Sequence, residues 1–184
     1  MNTTLYLGIG LALVVLFIIA IYNKLITLRA RIKEAFSGID VQLKRRIDLI
    51  PNLVETVKGY AKHEKEVFEN VTEARSSMMK AGSLEEKAAS NNMMTSALKS
   101  LFAVSEAYPE LKANTNFQDL QRQLGDTEDK IAYSRQFYNS NVLEYNTAIA
   151  VIPNSLIAGM FGFGTEPFFA ANDQERKNVE VKFT

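Results

Sequence analysis

The 184-residue sequence contains no cysteine, which excludes a disulfide framework and thiolate chemistry and fits a reducing compartment. It has one histidine, His63. A tetrahedral zinc site would therefore need carboxylates throughout, and a serine triad would have to recruit that single imidazole. No G-x-S-x-G surrounds any serine. A glycine-rich phosphate loop is missing too: Gly162-Phe163-Gly164 lacks both the third glycine and a preceding strand. Neither sign of charge is in excess, with 21 basic against 21 acidic residues, so no nucleic-acid surface is indicated. His63 with Glu64 and Glu66 reads as the solvated side of a helix. Asp40, Asp48 and Glu55 could face one another across the first two helices near Arg45 and Arg46, a grouping that buried ion pairs explain as well as an acid/base pair would. These absences point to a protein that is not an enzyme and needs no metal or cofactor.

One thing is present in excess. Residues 5–22 read LYLGIGLALVVLFIIAIY, eighteen residues without a charge. As a helix rising 1.5 Å per residue they cover roughly 27 Å, close to the ~30 Å hydrocarbon core of a bilayer. Leu5, Leu7, Leu11, Leu13, Val14, Val15, Leu16, Phe17, Ile18, Ile19, Ile21 and Tyr22 form the expected membrane anchor. The four residues before the run carry no side-chain charge, and it exits into Asn23 and Lys24 with no A-x-A-like site, so an uncleaved single span is expected rather than a signal peptide. Lys24, Arg29, Arg31 and Lys33 crowd the C-terminal exit. By the positive-inside rule the N-terminus lies outside and residues 23–184 lie in the cytoplasm. Tyr6 and Tyr22 mark the two ends of the span, where aromatic rings favour the headgroup level.

Between residues 24 and 150 there are two prolines, Pro51 and Pro109, and four glycines, Gly38, Gly59, Gly82 and Gly125. Strand-type alternation is missing there, and helix is expected throughout. Leu25, Leu28, Ile32, Phe36, Ile39, Leu43 and Ile47 recur every three or four residues, one stripe along a helix over 23–47 that continues the anchor. Lys44-Arg45-Arg46 suits a helix C-terminus, Asp48 suits an N-cap, and Pro51 suits the first turn of a second helix over 49–80. The rival is one continuous helix kinked at Pro51, because no glycine or polar loop marks a break. The second apolar stripe is Leu53, Val54, Val57, Ala61, Val67, Phe68, Val71, Ala74 and Met78, with Gly82 as its stop. Ser83 and Glu86 fit a capping box opening a third, more polar helix over 84–107. A fourth, over 116–152, carries Phe117, Leu120, Leu124, Thr127, Ile131, Ser134 and Tyr138 at heptad spacing, then Val142, Tyr145, Ile149 and Ile152. The fold class is therefore all-α: a transmembrane helix continuing into an antiparallel four-helix bundle.

If the helices alternate direction, the chain after Ile152 returns to the membrane surface. With one continuous rod through Pro51 it would make three passes, and that segment would lie far from the membrane. Residues 145–165 carry no charge, and Leu156, Ile157, Met160, Phe161, Phe163, Phe168 and Phe169 make the Gly/Phe-rich region from residue 153 onwards suited to an interface. Capping the bundle core is the alternative role for these aromatics. A second span is not expected, since Pro153, the asparagines and the glycines would need satisfying in lipid. At the C-terminus Val179, Val181 and Phe183 alternate with charges, the pattern of a short strand over 179–183. One strand cannot stand alone, so it would lie across the bundle or pair with another subunit.

Three stretches resemble a known family. IDVQLKRRIDLIPNLVETVKGYAKHE at 39–64, YPELKANTNFQDLQRQLGDTEDKIAYSRQFYNSNVLEYNTAI at 108–149, and IPNSLIAGMFGF with EPFF between Ile152 and Phe169 look like the LemA family of bacterial membrane proteins. The resemblance implies an N-terminal membrane helix, a mainly four-helix soluble domain, the bacterial inner membrane as location, and no catalytic residues to carry over. One relative's part in forming magnetosome membranes hints at membrane organisation. The expected partners are the lipid bilayer and further copies of the chain in a homo-oligomer, and no nucleic acid. The alternative is a monomeric adaptor for another protein, presenting Asn91, Asn92, Met93 and Met94 of the third helix.

Overall fold

The computed structural model describes residues 2–169, with side chains from Leu5 onwards. The described residues form six helices and no strand: α1 Asn2–Lys58, α2 Lys65–Lys80, α3 Leu84–Ser105, α4 Pro109–Ala113, α5 Thr115–Ala150 and α6 Asn154–Phe161. The expected strand over 179–183, with Val179, Val181 and Phe183, lies outside the described residues. Two compact units divide the chain. One holds residues 2–38 and 134–168, the other residues 39–133 together with Phe169, so α1 and α5 each contribute to both.

The break expected at Asp48 does not occur. α1 runs through Pro51 without interruption, and the reversal falls instead at residues 59–64. Proline at position 51 has no N–H for the carbonyl of Ile47, four residues earlier, and would leave that acceptor without its helical donor. The missing donor comes from another helix: Arg75 Nε of α2 donates to the Ile47 carbonyl at 3.2 Å. Asp48, read as an N-cap, is instead paired with Lys44 one turn back. Arg75→Met should cost about 1 kcal/mol in urea unfolding. In a Pro51→Ala background the restored N–H serves the carbonyl, and the same change should cost almost nothing. Equal costs in both backgrounds would refute this account of the unbroken helix.

In the unit formed by residues 39–133, Lys58 lies over the Phe68 ring and Arg75 reaches Ile47, so α2 runs back along α1. Asp40 pairs with Lys87 and Arg46 with Asn91, so α3 runs forward again. Buried Leu53, Val57, Val71, Met94, Leu101, Leu111, Phe117 and Ile131 fill the interior. Its boundaries follow local chemistry. The capping box is formed: Glu86 N–H donates to Ser83 Oγ, and Gly82 and Ser83 N–H donate to the Glu86 carboxylate, which holds that carboxyl below its ordinary pKa. Asn114 caps α5 by accepting the Phe117 N–H at 3.0 Å.

The third helix does not present its Asn-Met stretch as an exposed face. Asn91 and Met94 are buried, and only Met93 of the four is exposed. Residues 87, 91, 94 and 98 fall on one side of a helix, and that side turns inward because Asn91 has a cation to bind. Arg46 is 4% exposed. Its Nη1 donates to Asn91 Oδ1 at 2.7 Å and its Nη2 to Thr95 Oγ1 at 3.1 Å, while Glu128 of α5 completes an ion pair at 2.7 Å. Burial pulls the guanidinium pKa below its ordinary value, and Glu128 acts in the opposite direction. Nor do Asp40, Asp48 and Glu55 converge. All three sit on α1, and each pairs with a different lysine: Lys87, Lys44 and Lys58. His63 lies in the 59–64 reversal rather than on the side of a helix.

Candidate membrane-exit site

In the unit formed by residues 2–38 and 134–168, the expected anchor stands bare. The side chains of Leu5, Leu7, Leu11, Leu13, Val14, Val15, Leu16, Phe17 and Ile19 are all exposed. This stretch of α1 is long and apolar enough to cross a membrane. Burial begins at Ile21 and proceeds through Leu25, Leu28, Ile32 and Ala35, a three-four alternation. Ala35 takes the core position that the sequence assigned to Phe36, whose ring instead faces Tyr138 at 6.1 Å.

α5 runs back along this stretch, with Tyr138, Val142, Tyr145 and Ala148 buried. It ends two residues short of the expected 152, ahead of Pro153, whose fixed ring and missing N–H do not continue a helix. Ile152, placed in the core stripe by sequence, is among the most exposed apolar residues. The chain then forms α6, which the glycine content had concealed. Gly162, at φ +71°, ends it in the left-handed conformation that glycine adopts without a Cβ penalty, and Phe163 N–H closes back on the Ala158 carbonyl at 2.9 Å.

Residues 162–168 are irregular yet closely held. Tyr145 donates its hydroxyl to the Gly164 carbonyl at 3.0 Å, and Tyr138 donates its own to the Pro167 carbonyl at 2.9 Å. Asn146 meets the Glu166 backbone twice, donating to its carbonyl and accepting from its N–H, both at 2.9 Å. Arg29 of α1 donates to the Glu166 carboxylate at 3.0 Å. Burial raises the Tyr145 phenol pKa, with Arg29 opposing and Glu166 reinforcing the shift, so the hydroxyl stays a neutral donor at working pH. The Phe161 and Phe163 rings meet Tyr22 edge-on, at 5.0 and 5.6 Å between centroids. Tyr22 is the last residue of the apolar run. The Gly/Phe-rich segment therefore lies against the end of the anchor, even though the turn at Asp48 is absent, because the reversal at 59–64 replaces it.

Of the interface residues read from sequence, Ile157 and Phe169 are buried, while Leu156, Met160, Phe161 and Phe168 are exposed. Capping the core and facing outward, offered as alternatives, are divided between different residues of the segment. Residues 162–168 form a strap, and its contacts with Tyr138, Tyr145 and Asn146 carry no signal in the pattern beyond two tyrosines at core positions. Among the described residues no group of three acidic or histidine side chains is placed to hold a metal ion.

The family model of the LemA family matches residues 35–183. The chain belongs to the LemA family. The sequence is similar to the magnetosome protein MamQ of Magnetospirillum gryphiswaldense, at 25% identity over 90% of this chain and 71% of that protein. Magnetosome protein MamQ 2 of Paramagnetospirillum magneticum is also 25% identical, over 80% of this chain and 64% of its own length. Protein LemA of Metamycoplasma hominis is 25% identical over 86% of this chain and 73% of its own. With an apolar helix of spanning length at its start, this LemA-family chain is a membrane protein of the LemA type.

Proposed function

We propose that this LemA-family protein is a non-enzymatic, single-span scaffold that self-associates on the bacterial inner membrane and organises or shapes the bilayer. In this reading the N-terminus lies outside, since Lys24, Arg29, Arg31 and Lys33 follow the anchor. The cytoplasmic helices form an antiparallel four-helix bundle from residues 39–58 of α1, α2, α3 and the first half of α5. The observation that carries self-association is an aromatic pair on α5. Tyr133 is 70% and Phe137 51% exposed, one helical turn apart and outside the apolar anchor. Large apolar side chains so arranged favour a protein partner over water. Similarity to magnetosome proteins supports a role tied to membranes.

The test is the mass of the full-length protein in mild detergent by light scattering, followed by imaging. A discrete large particle is expected, broken down by Tyr133→Glu with Phe137→Glu. Deleting residues 179–184 should also shrink it if the terminal segment clasps a neighbour. A monomer at every concentration would sink the scaffold.

A second reading, the adaptor, rests on a cleft of about 850 Å³ where α1 gives way to α2, rimmed by Lys58, Lys62 and Lys65 beside Phe68. Glu69 and Glu73 share its lining, so it suits a segment of another protein that carries charges of both signs. Recovery of one stoichiometric partner by a monomeric chain would favour it.

A further inference from the structure

We propose that α6 is an interfacial helix, lying in the headgroup–acyl boundary of the leaflet that α1 leaves at Tyr22, with Leu156 and Met160 inserted among the lipid chains. The first ground is how α6 divides its apolar residues. Ile157 and Ala158 are buried within the unit, while Leu156 is 66% and Met160 72% exposed. Four residues apart, these two form one stripe on α6, and Ile152, in the turn just before the helix, is 84% exposed. A helix face turned to water carries charge, yet residues 151–165 contain none.

The second ground is height. The anchor fixes Tyr22 at the end of the apolar run, and Phe161 and Phe163 touch that ring. The C-terminal end of α6 is thereby held at the level where α1 leaves the hydrocarbon. Lys24 opens the charged part of α1 two residues past Tyr22, and the first charge after α6, Glu166, pairs with Arg29 seven residues past Tyr22, roughly 10 Å along the helix. The headgroup layer adds roughly 5–8 Å on each side of the hydrocarbon, so this ion pair falls at its aqueous edge. The occupant of the exposed stripe is accordingly the bilayer that α1 enters, since the stripe continues an apolar surface that already requires lipid. Exposed Lys24, Arg31 and Lys33 favour a leaflet with anionic headgroups.

This inference rests on α1 spanning the bilayer, so its test must distinguish the two. The chain has no tryptophan, and a single introduced indole is therefore a clean reporter, of a residue type that prefers the interface. The full-length variants Leu156→Trp, Met160→Trp and Val14→Trp are reconstituted separately into phosphatidylcholine–phosphatidylglycerol vesicles. Their emission is quenched by lipids brominated on the acyl chains or by aqueous iodide. Leu156→Trp and Met160→Trp should lose most of their emission to chains brominated near the headgroup and little to iodide. Val14→Trp should lose most to chains brominated near the tail. Quenching of residues 156 and 160 by iodide, with Val14→Trp still quenched by lipid, would overturn the proposal and leave the anchor standing. Protection of residues 156 and 160 from both quenchers would overturn it in favour of a second protein surface. Failure of Val14→Trp to respond to lipid would remove the anchor itself.

Discussion

Arg46→Ala should destabilise the protein by about 3 kcal/mol, read from chemical unfolding of the full-length chain in mild detergent. The arginine is buried and serves three acceptors, on Asn91, Thr95 and Glu128. Removing one member of such a group leaves the others unpaired, and buried Asn91 bears most of that loss. The Glu128 side chain is 42% exposed although the Oε2 that meets Arg46 is buried, so the carboxylate can turn outward to water, which keeps the expected cost below that of a fully buried pair. Arg46→Lys should recover only part of the stability. An ammonium is a point charge and cannot span the acceptors as the planar guanidinium does. Arg46→Met with Asn91→Leu should cost less than Arg46→Ala alone, because an apolar pair leaves no polar group stranded. If alanine and methionine at position 46 cost the same with Asn91 intact or replaced, the network is not the cause.

Tyr145→Ala should be costlier, about 4 kcal/mol, because the ring is wholly buried and its loss leaves a cavity. Tyr145→Phe keeps the ring and removes only the hydroxyl bonded to Gly164, a loss of about 1 kcal/mol. The pair separates packing from fastening. Digestion by a protease that cuts after aromatic residues reports on the strap directly, since Phe163 sits in it and is followed by Gly164. Cleavage after Phe163, read from the mass of the fragments, should be slow in the native chain, faster in Tyr145→Phe and fastest in Tyr145→Ala. Unchanged cleavage in both variants would mean that Tyr138, Asn146 and Arg29 hold the segment without Tyr145.

Much of this architecture was legible because it obeys local rules. An uninterrupted apolar run, a serine three residues before a glutamate, and a three-four alternation along α5 each specify one outcome. The anchor, the capping box and the long helix follow from them. Pro51 was misread because the rule it breaks is local and its remedy is not: Arg75 lies twenty-four residues further on, and nothing around Pro51 announces it. The third helix was misread for a related reason. Asn91 looks solvent-facing until a buried arginine from another helix claims its oxygen. α6 was hidden by its glycines, one of which ends the helix rather than preventing it. The strap was the least legible part, since its partners are carbonyls and amides, which every residue possesses.

That last property separates how the strap is fastened from what it displays. Tyr138 and Tyr145 grip the carbonyls of Pro167 and Gly164, and Asn146 grips the backbone of Glu166. None of those four bonds reads a side chain. Thr165 and Phe168, both exposed, can therefore be exchanged while the main chain stays in place. What the segment displays can thus be changed by substitution alone, without redesigning the mount.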